Sequence, residues 1–198
     1  RLLPDMPITA TCVDSGGHYT DHVIQYCYER RHQRVFAIKG SSGGMGVPIW
    51  PPRPSQSRRL KKPVYLIGVN DAKETLIKRL TIVDAGAGCW HFPMERDSSW
   101  FSQITSEIVR TRYVKGRPVR RWEVRKAGSP TEGLDCRVYA FAALRGLMRN
   151  WKFDLNQAAL KLQSIAIKTT TDTTTRSHVA QQTPRVRKQR RVRSRGIV

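Results

Sequence analysis

Three observations predict an α/β fold for this 198-residue sequence. Residues 8–13 (ITATCV) form a short β-rich run ending in Asp14-Ser15-Gly16-Gly17. An amphipathic stretch and a second β-rich run, RVFAIKG, follow it, which is the pattern of a βαβ unit with a parallel strand pair. Residues 131–145 (TEGLDCRVYAFAALR) are apolar nearly all the way round at helical spacing, the mark of a buried helix.

Each element follows from its own pattern. In HYTDHVIQYCYERR, Val23, Tyr26 and Cys27 fall at i, i+3 and i+4, predicting a helix capped near Thr20 or Asp21. Residues 40–63 are rich in Gly, Pro, Arg and Lys and predict a long, mobile basic loop; no Gly-Lys-Ser/Thr follows its glycines, so it is no Walker-type phosphate loop. PVYLIGV predicts a third strand. Asn70 or Asp71 then caps a helix whose Leu76, Ile77 and Leu80 face the core. CWHFP predicts a short strand, SSWFSQITSEIVRTRYV a helix running into a strand, and GRPVRRWEVRK a basic strand or hairpin. Trp122 there can stack on bases or pack on the sheet, with packing preferred. WKFDLNQAALKLQSIAI predicts a last helix. From residue 168 the chain has too few apolar residues to fold alone and predicts a disordered basic tail, 168–198.

The charge narrows the partners. The chain carries +21, and residues 176–198 hold eight cations and no acid, so removing these eight leaves +13 on the rest. A body this basic faces polyphosphate, most often nucleic acid. Hydrophobic content is 39%, which suits a folded core with a polar appendage. Cys12, Cys27, Cys89 and Cys136 form no CxxC pair, which argues against a zinc ribbon and a dense disulfide framework; free, mostly buried thiols are expected. No run of about 18 apolar residues indicates a membrane span.

Two acids stand out by position. Asp14 ends a strand, where open α/β sheets place their sites. Asp135 sits one turn inside an apolar helix, where it must be protonated, paired with a base or bound to a metal. Carboxylates converging at a sheet edge suit Mg²⁺ or Mn²⁺, which take oxygen ligands, and two such ions can clamp a phosphodiester. An ion pair with an arginine explains Asp135 equally well, and residue types leave both readings open. Glu132, one turn earlier, caps the helix or assists at a metal. Lys73 lies in the first turn of its helix, against the dipole, which reads as a phosphate contact or a solvated lysine. Arg58, Arg59, Lys61 and Lys62 of the loop and Arg120 and Arg121 of the hairpin are further candidate DNA contacts. His18 and His22 have i, i+4 spacing but no HExxH pattern, and read as surface histidines. Ser15 lies in DSGG rather than GxSxG, without an assigned base. Asp84, Glu95 and Asp97 fall in turns and are expected to be solvated.

Six stretches together resemble the C-terminal nuclease region of the large terminase subunit of lambda-type tailed phages: CVDSGGHYTDHVIQYC, RVFAIKGSS, VYLIGVNDAKETLIKRL, WHFP, FSQITSE and TEGLDCRVYAFAAL. They fall in the family's order, and TEGLDC with the small-apolar helix after it is the most specific. The resemblance implies an RNase H-like fold and an endonuclease dependent on Mg²⁺ or Mn²⁺ that cuts concatemeric phage DNA into genome lengths. It implies double-stranded DNA, the small terminase subunit and the procapsid portal as partners. It further implies oligomerisation in the packaging motor and action in the host bacterial cytoplasm rather than in the virion. It assigns Asp14 and Asp135 to the second and third of the family's three acids. The first has no match, since Asp5 between Leu-Pro and Met-Pro is no substitute. The expectation is therefore a partial nuclease domain over 1–167, truncated at its N-terminal edge and without the ATPase motor, followed by the basic tail. Its alternatives are a non-catalytic DNA- or portal-binding module and an inactive prophage remnant.

Overall fold

The computed structural model describes residues 8–84 and 86–164, so the expected basic tail and the last three residues of the final predicted helix lie outside the described residues. Strand β1 (Thr11–Asp14), helix α1 (Thr20–Glu29) and strand β2 (Val35–Gly40) form the expected βαβ unit, with the strands parallel in a register running from Thr11 opposite Val35 to Asp14 opposite Ile38. Helix α1 starts where predicted, but Thr20 does not cap it forward. Its hydroxyl donates backwards to the carbonyls of Ser15 and Gly17, tying the helix start to the turn after β1. The buried face is Ile24 and Cys27, whereas Tyr26, expected inside, is exposed.

The segment between β2 and the next strand is not the mobile loop expected. Trp50 is 3% exposed, stacks on Tyr65 with ring centroids 4.4 Å apart, and meets Phe36 edge-on. Its ring lies so close to Gly146 that a Cβ there would approach the indole to 2.8 Å. The Asp71 carboxylate accepts the Gly46 and Val47 amides, and the Gly68 amide donates to the Pro48 carbonyl. A two-residue strand, β3 (Ser55–Gln56), pairs antiparallel with β4 (Pro63–Ile67). The apolar area of one tryptophan and a set of satisfied backbone donors thus outweigh the disorder that Gly and Pro content suggests.

Strand β4 lies parallel to β2, giving the sheet order β1-β2-β4-β3. Helix α2 (Val69–Arg79) starts at a Gly68 cap, so Asn70 and Asp71 lie inside its first turn rather than at its cap. Leu76 is buried and Ile77 packs against the core, while Leu80 closes the helix. The CWHFP stretch is irregular, not a strand; Trp90, Phe92 and Trp100 pack ring edge to ring face instead of laddering. Asp97, expected to be merely solvated, caps helix α3 (Ser98–Ile104) by accepting the Trp100 amide at 2.9 Å. Strands β5 (Glu107–Val114) and β6 (Arg117–Val124) form a separate antiparallel hairpin. Lys115 and Gly116 both take positive φ at its two-residue turn, as a tight hairpin requires.

Helix α4 (Glu132–Asn150) is the long helix expected, but it is buried along one side only: Leu134, Val138, Phe141, Ala142, Ala143, Gly146 and Leu147 are inside and Ala140 is exposed. Alternation along β2 divides the core. Phe36 and Ile38 join Trp50, Ile67, Leu76 and the α4 residues, while Ala37 joins Ile24, Cys27 and Val64 beneath α1. The first compact unit ends at Phe153. Residues 155–164 are helical and belong to the second unit. The four cysteines are free, as expected, but only Cys27 is buried. No helix among the described residues is long and apolar enough to cross a membrane.

Candidate active site

Asp14 is the last residue of β1, and the turn after it fixes its carboxylate. Oδ1 accepts the Gly16 amide at 2.8 Å, and Oδ2 accepts the Tyr139 hydroxyl at 3.1 Å. Ser15 next to it is 1% exposed, and its hydroxyl donates to the Ile38 carbonyl at 2.8 Å. That bond gives Ser15 a structural role and leaves no nucleophile there.

Tyr139 stands one turn beyond Asp135 on α4, so the bond to Asp14 sets the end of β1 against the stripe that carries Asp135. The tyrosine was legible only as helix filling. Burial first, then the charges of Asp14 and Asp135, raise its pKa well above the usual tyrosine value. The phenol therefore stays a hydrogen-bond donor at any ordinary pH.

Asp135 is not buried as the helix pattern suggested; its side chain is 32% exposed. Of its three allowed states, the structure shows pairing with a base, and the base is a lysine. Oδ1 lies 3.1 Å from Lys73 Nζ, and Oδ2 accepts the Thr131 hydroxyl at 3.1 Å. Lys73, expected to contact DNA, is itself only 6% exposed. Its ammonium lies 2.7 Å from Glu107 Oε1, inside the protein between two carboxylates. A cation held this way is not presented to a phosphate backbone, so the DNA-contact reading of Lys73 gives way to an internal ion-pair role. The carboxylates also explain how a lysine is tolerated in the first turn of a helix.

Glu107, the first residue of β5, was missed by the sequence reading. Its signal was an acid between the apolar positions Ile104 and Ile108, and its side chain is 8% exposed. Glu132 is exposed and makes no ion pair among the described residues. His18 and His22 are exposed, as expected.

The acids supply oxygen donors, the chemistry that hard divalent ions take. Asp14 and Asp135 fit such an ion by donor type, each oxygen keeping a lone pair beyond its one hydrogen bond. No group of three or more His, Cys, Asp or Glu residues spaced to hold a metal occurs among the described residues.

The basic candidates lie on other surfaces, the loop arginines in a cleft on the α1 side of the sheet, whereas Asp14 turns toward α4. A cleft of about 550 Å³ is lined by Ser15, the neighbour of Asp14, and by Lys39, Arg58 and Arg59. Arg58, Arg59 and Lys61 are exposed, with Arg59 paired to Asp21 at 2.8 Å. Lys62 is half-buried, donating to Gln25 and lying over the Tyr28 ring. Arg120 and Arg121 are exposed on β6. Trp122 between the hairpin and α2 packs, as preferred, its indole N–H donating to the Asn70 carbonyl at 3.1 Å.

Comparison with known proteins gives one consistent result. Residues 3–155 match the family described as terminase large subunit gpA, endonuclease domain. The chain is 36% identical over 170 residues to the terminase large subunit of Escherichia phage lambda, covering 80% of this chain and 25% of the relative. It is 34% identical over 165 residues to the terminase large subunit of Enterobacteria phage P21, covering 76% of this chain and 24% of the relative. The chain thus spans about a quarter of the length of these curated relatives. No solved structure matches it.

Proposed function

This chain belongs to the endonuclease-domain family of the terminase large subunit gpA, and from that membership we propose that it is the DNA-cutting part of a phage DNA-packaging enzyme. It cuts concatemeric double-stranded DNA, depends on Mg²⁺ or Mn²⁺, and adopts an RNase H-like arrangement within a longer packaging protein. The small terminase subunit and the procapsid portal are its proposed partners, in an oligomeric motor in the host cytoplasm.

One observation supports a cutting site most directly. The Tyr139–Asp14 hydrogen bond joins the end of β1 to the Asp135 stripe of α4. Asp14 and Asp135 would hold the divalent ion, which when bound supplies charge neutralisation at the phosphodiester and a more acidic water. The protein's own groups do the rest. Gly16 and Tyr139 fix the two oxygens of Asp14, and Thr131 and Lys73 fix those of Asp135. Arg58 and Arg59 line the cleft on the α1 side of the sheet and would hold a phosphate backbone there. Arg120 and Arg121 extend the basic surface along the hairpin.

The exposed arginines of the loop and the hairpin favour a second reading, a non-catalytic DNA-binding module. Nicking of supercoiled plasmid separates the two. The first reading expects cutting in Mn²⁺ that EDTA abolishes. Salt-sensitive DNA binding without any cutting, indifferent to EDTA, overturns it.

A further inference from the structure

Lys73 and Glu107 form a buried pair that touches the site on one side only. Each side chain is 8% exposed, and Lys73 bridges Glu107 at 2.7 Å and Asp135 at 3.1 Å. Among the described residues Glu107 bonds to neither Asp14 nor Tyr139; its connection to the site runs through the lysine. The position is fixed from outside by the Trp122 indole, which anchors the hairpin to the first turn of α2 at the Asn70 carbonyl. Asp135 and Glu107 carry two negative charges and the Lys73 between them one positive charge, which leaves this trio at −1, where Lys73 and Asp135 alone would be neutral. In a chain of net charge +21, this is an acidic enclave whose net charge depends on a residue away from its mouth.

We propose that Glu107 and Lys73 are positioning residues that set the charge of the Asp14–Asp135 site, Glu107 offsetting the lysine so that Asp135 keeps its attraction for a divalent cation. The inference rests on the metal-dependent reading of that site. Lys73 alone would neutralise Asp135, its nearest charge at the site. Glu107 draws the ammonium to the shorter contact and restores the negative balance. Both side chains are buried and act through Asp135 rather than by direct contact with DNA. A unit charge this close to a divalent ion shifts its affinity by at least about tenfold.

Calorimetric titration of Mn²⁺ into the intact chain, without DNA, tests this. Thermal melts run alongside show that each variant is folded. Glu107→Gln is expected to bind Mn²⁺ at least about tenfold more weakly than wild type. The double variant Lys73→Met with Glu107→Gln returns the trio to the wild-type −1 and is expected to recover most of that loss. A purely structural role predicts that affinity follows the melting temperature, whereas the charge role predicts that affinity in the double variant recovers even where the melting temperature does not. If it fails to melt cooperatively, Lys73→Gln with Glu107→Gln takes its place. Unchanged affinity in Glu107→Gln, or a double variant as weak as the single, overturns the proposal. Absence of Mn²⁺ binding by the wild-type chain instead overturns the metal-dependent reading of the site, and this inference with it.

Discussion

The Tyr139 hydroxyl donates to Asp14 Oδ2 at 3.1 Å across 125 positions of sequence, and this bond joins the first strand of the sheet to the last helix of the first unit. Tyr139→Phe keeps the ring and deletes the bond. Its cost to stability is expected to be small, about 1 kcal/mol. Its effect on plasmid nicking is expected to be larger, because Asp14 loses its fixed orientation. Chemical denaturation and nicking rates of one preparation check the two together.

Lys73→Met is expected to cost about 3–5 kcal/mol, since it leaves Glu107 buried without its partner. Adding Glu107→Gln is expected to return part of that loss, because no buried carboxylate is then left unpaired. Urea denaturation of the two variants measures the difference.

Trp50→Ala is expected to cost about 3–5 kcal/mol, as a core aromatic does, although the residue lies in a Pro- and Gly-rich connection. A loss below about 0.5 kcal/mol would mean that the segment is the loose loop its composition suggested.

Stability is expected to fall in alkali from about pH 9 upward. Partial burial pushes the half-buried Cys12 thiol up to about 12, with Cys27 adding to it, and burial pushes Cys27 up to about 11. Groups whose folded pKa is raised contribute stability in full below their unfolded pKa and lose it as pH rises through the folded value. Cys12→Ala is therefore expected to flatten the stability curve between pH 9 and 12, whatever it costs at pH 7. Denaturant midpoints across that range supply the slope.

Replacing Arg58 and Arg59, or Arg120 and Arg121, by Ala is expected to weaken DNA binding without changing the fold. Each lost phosphate contact lowers the slope of log affinity against log salt by about 0.9. Binding isotherms at several salt concentrations show which pairs are true contacts.

Much of this fold was legible because it is local. The βαβ unit follows from alternation in β1 and β2 and from helical spacing between them, and Asp14 at a strand end follows at once. What composition concealed was tertiary. Nothing in PIWPP announces that its tryptophan completes the core against Gly146, nearly a hundred residues later. CWHFP carries a strand's residues, but its rings found better partners in one another than in a ladder. Asp135 was legible as an acid needing a partner, yet its base could not be chosen among so many cations. Lys73 and Glu107 lie 34 positions apart and meet only because the hairpin docks on α2.

The central claim is that Asp14 and Asp135 act as one DNA-cutting site. Its most direct test is a double-mutant cycle on plasmid nicking in Mn²⁺, with Asp14→Asn, Asp135→Asn and both together. Two acids of one site lose their function as a unit. Each single variant is expected to slow nicking by on the order of 100-fold, with the double no slower than the worse single. Nicking that survives either substitution, or losses that multiply in the double variant, would contradict it.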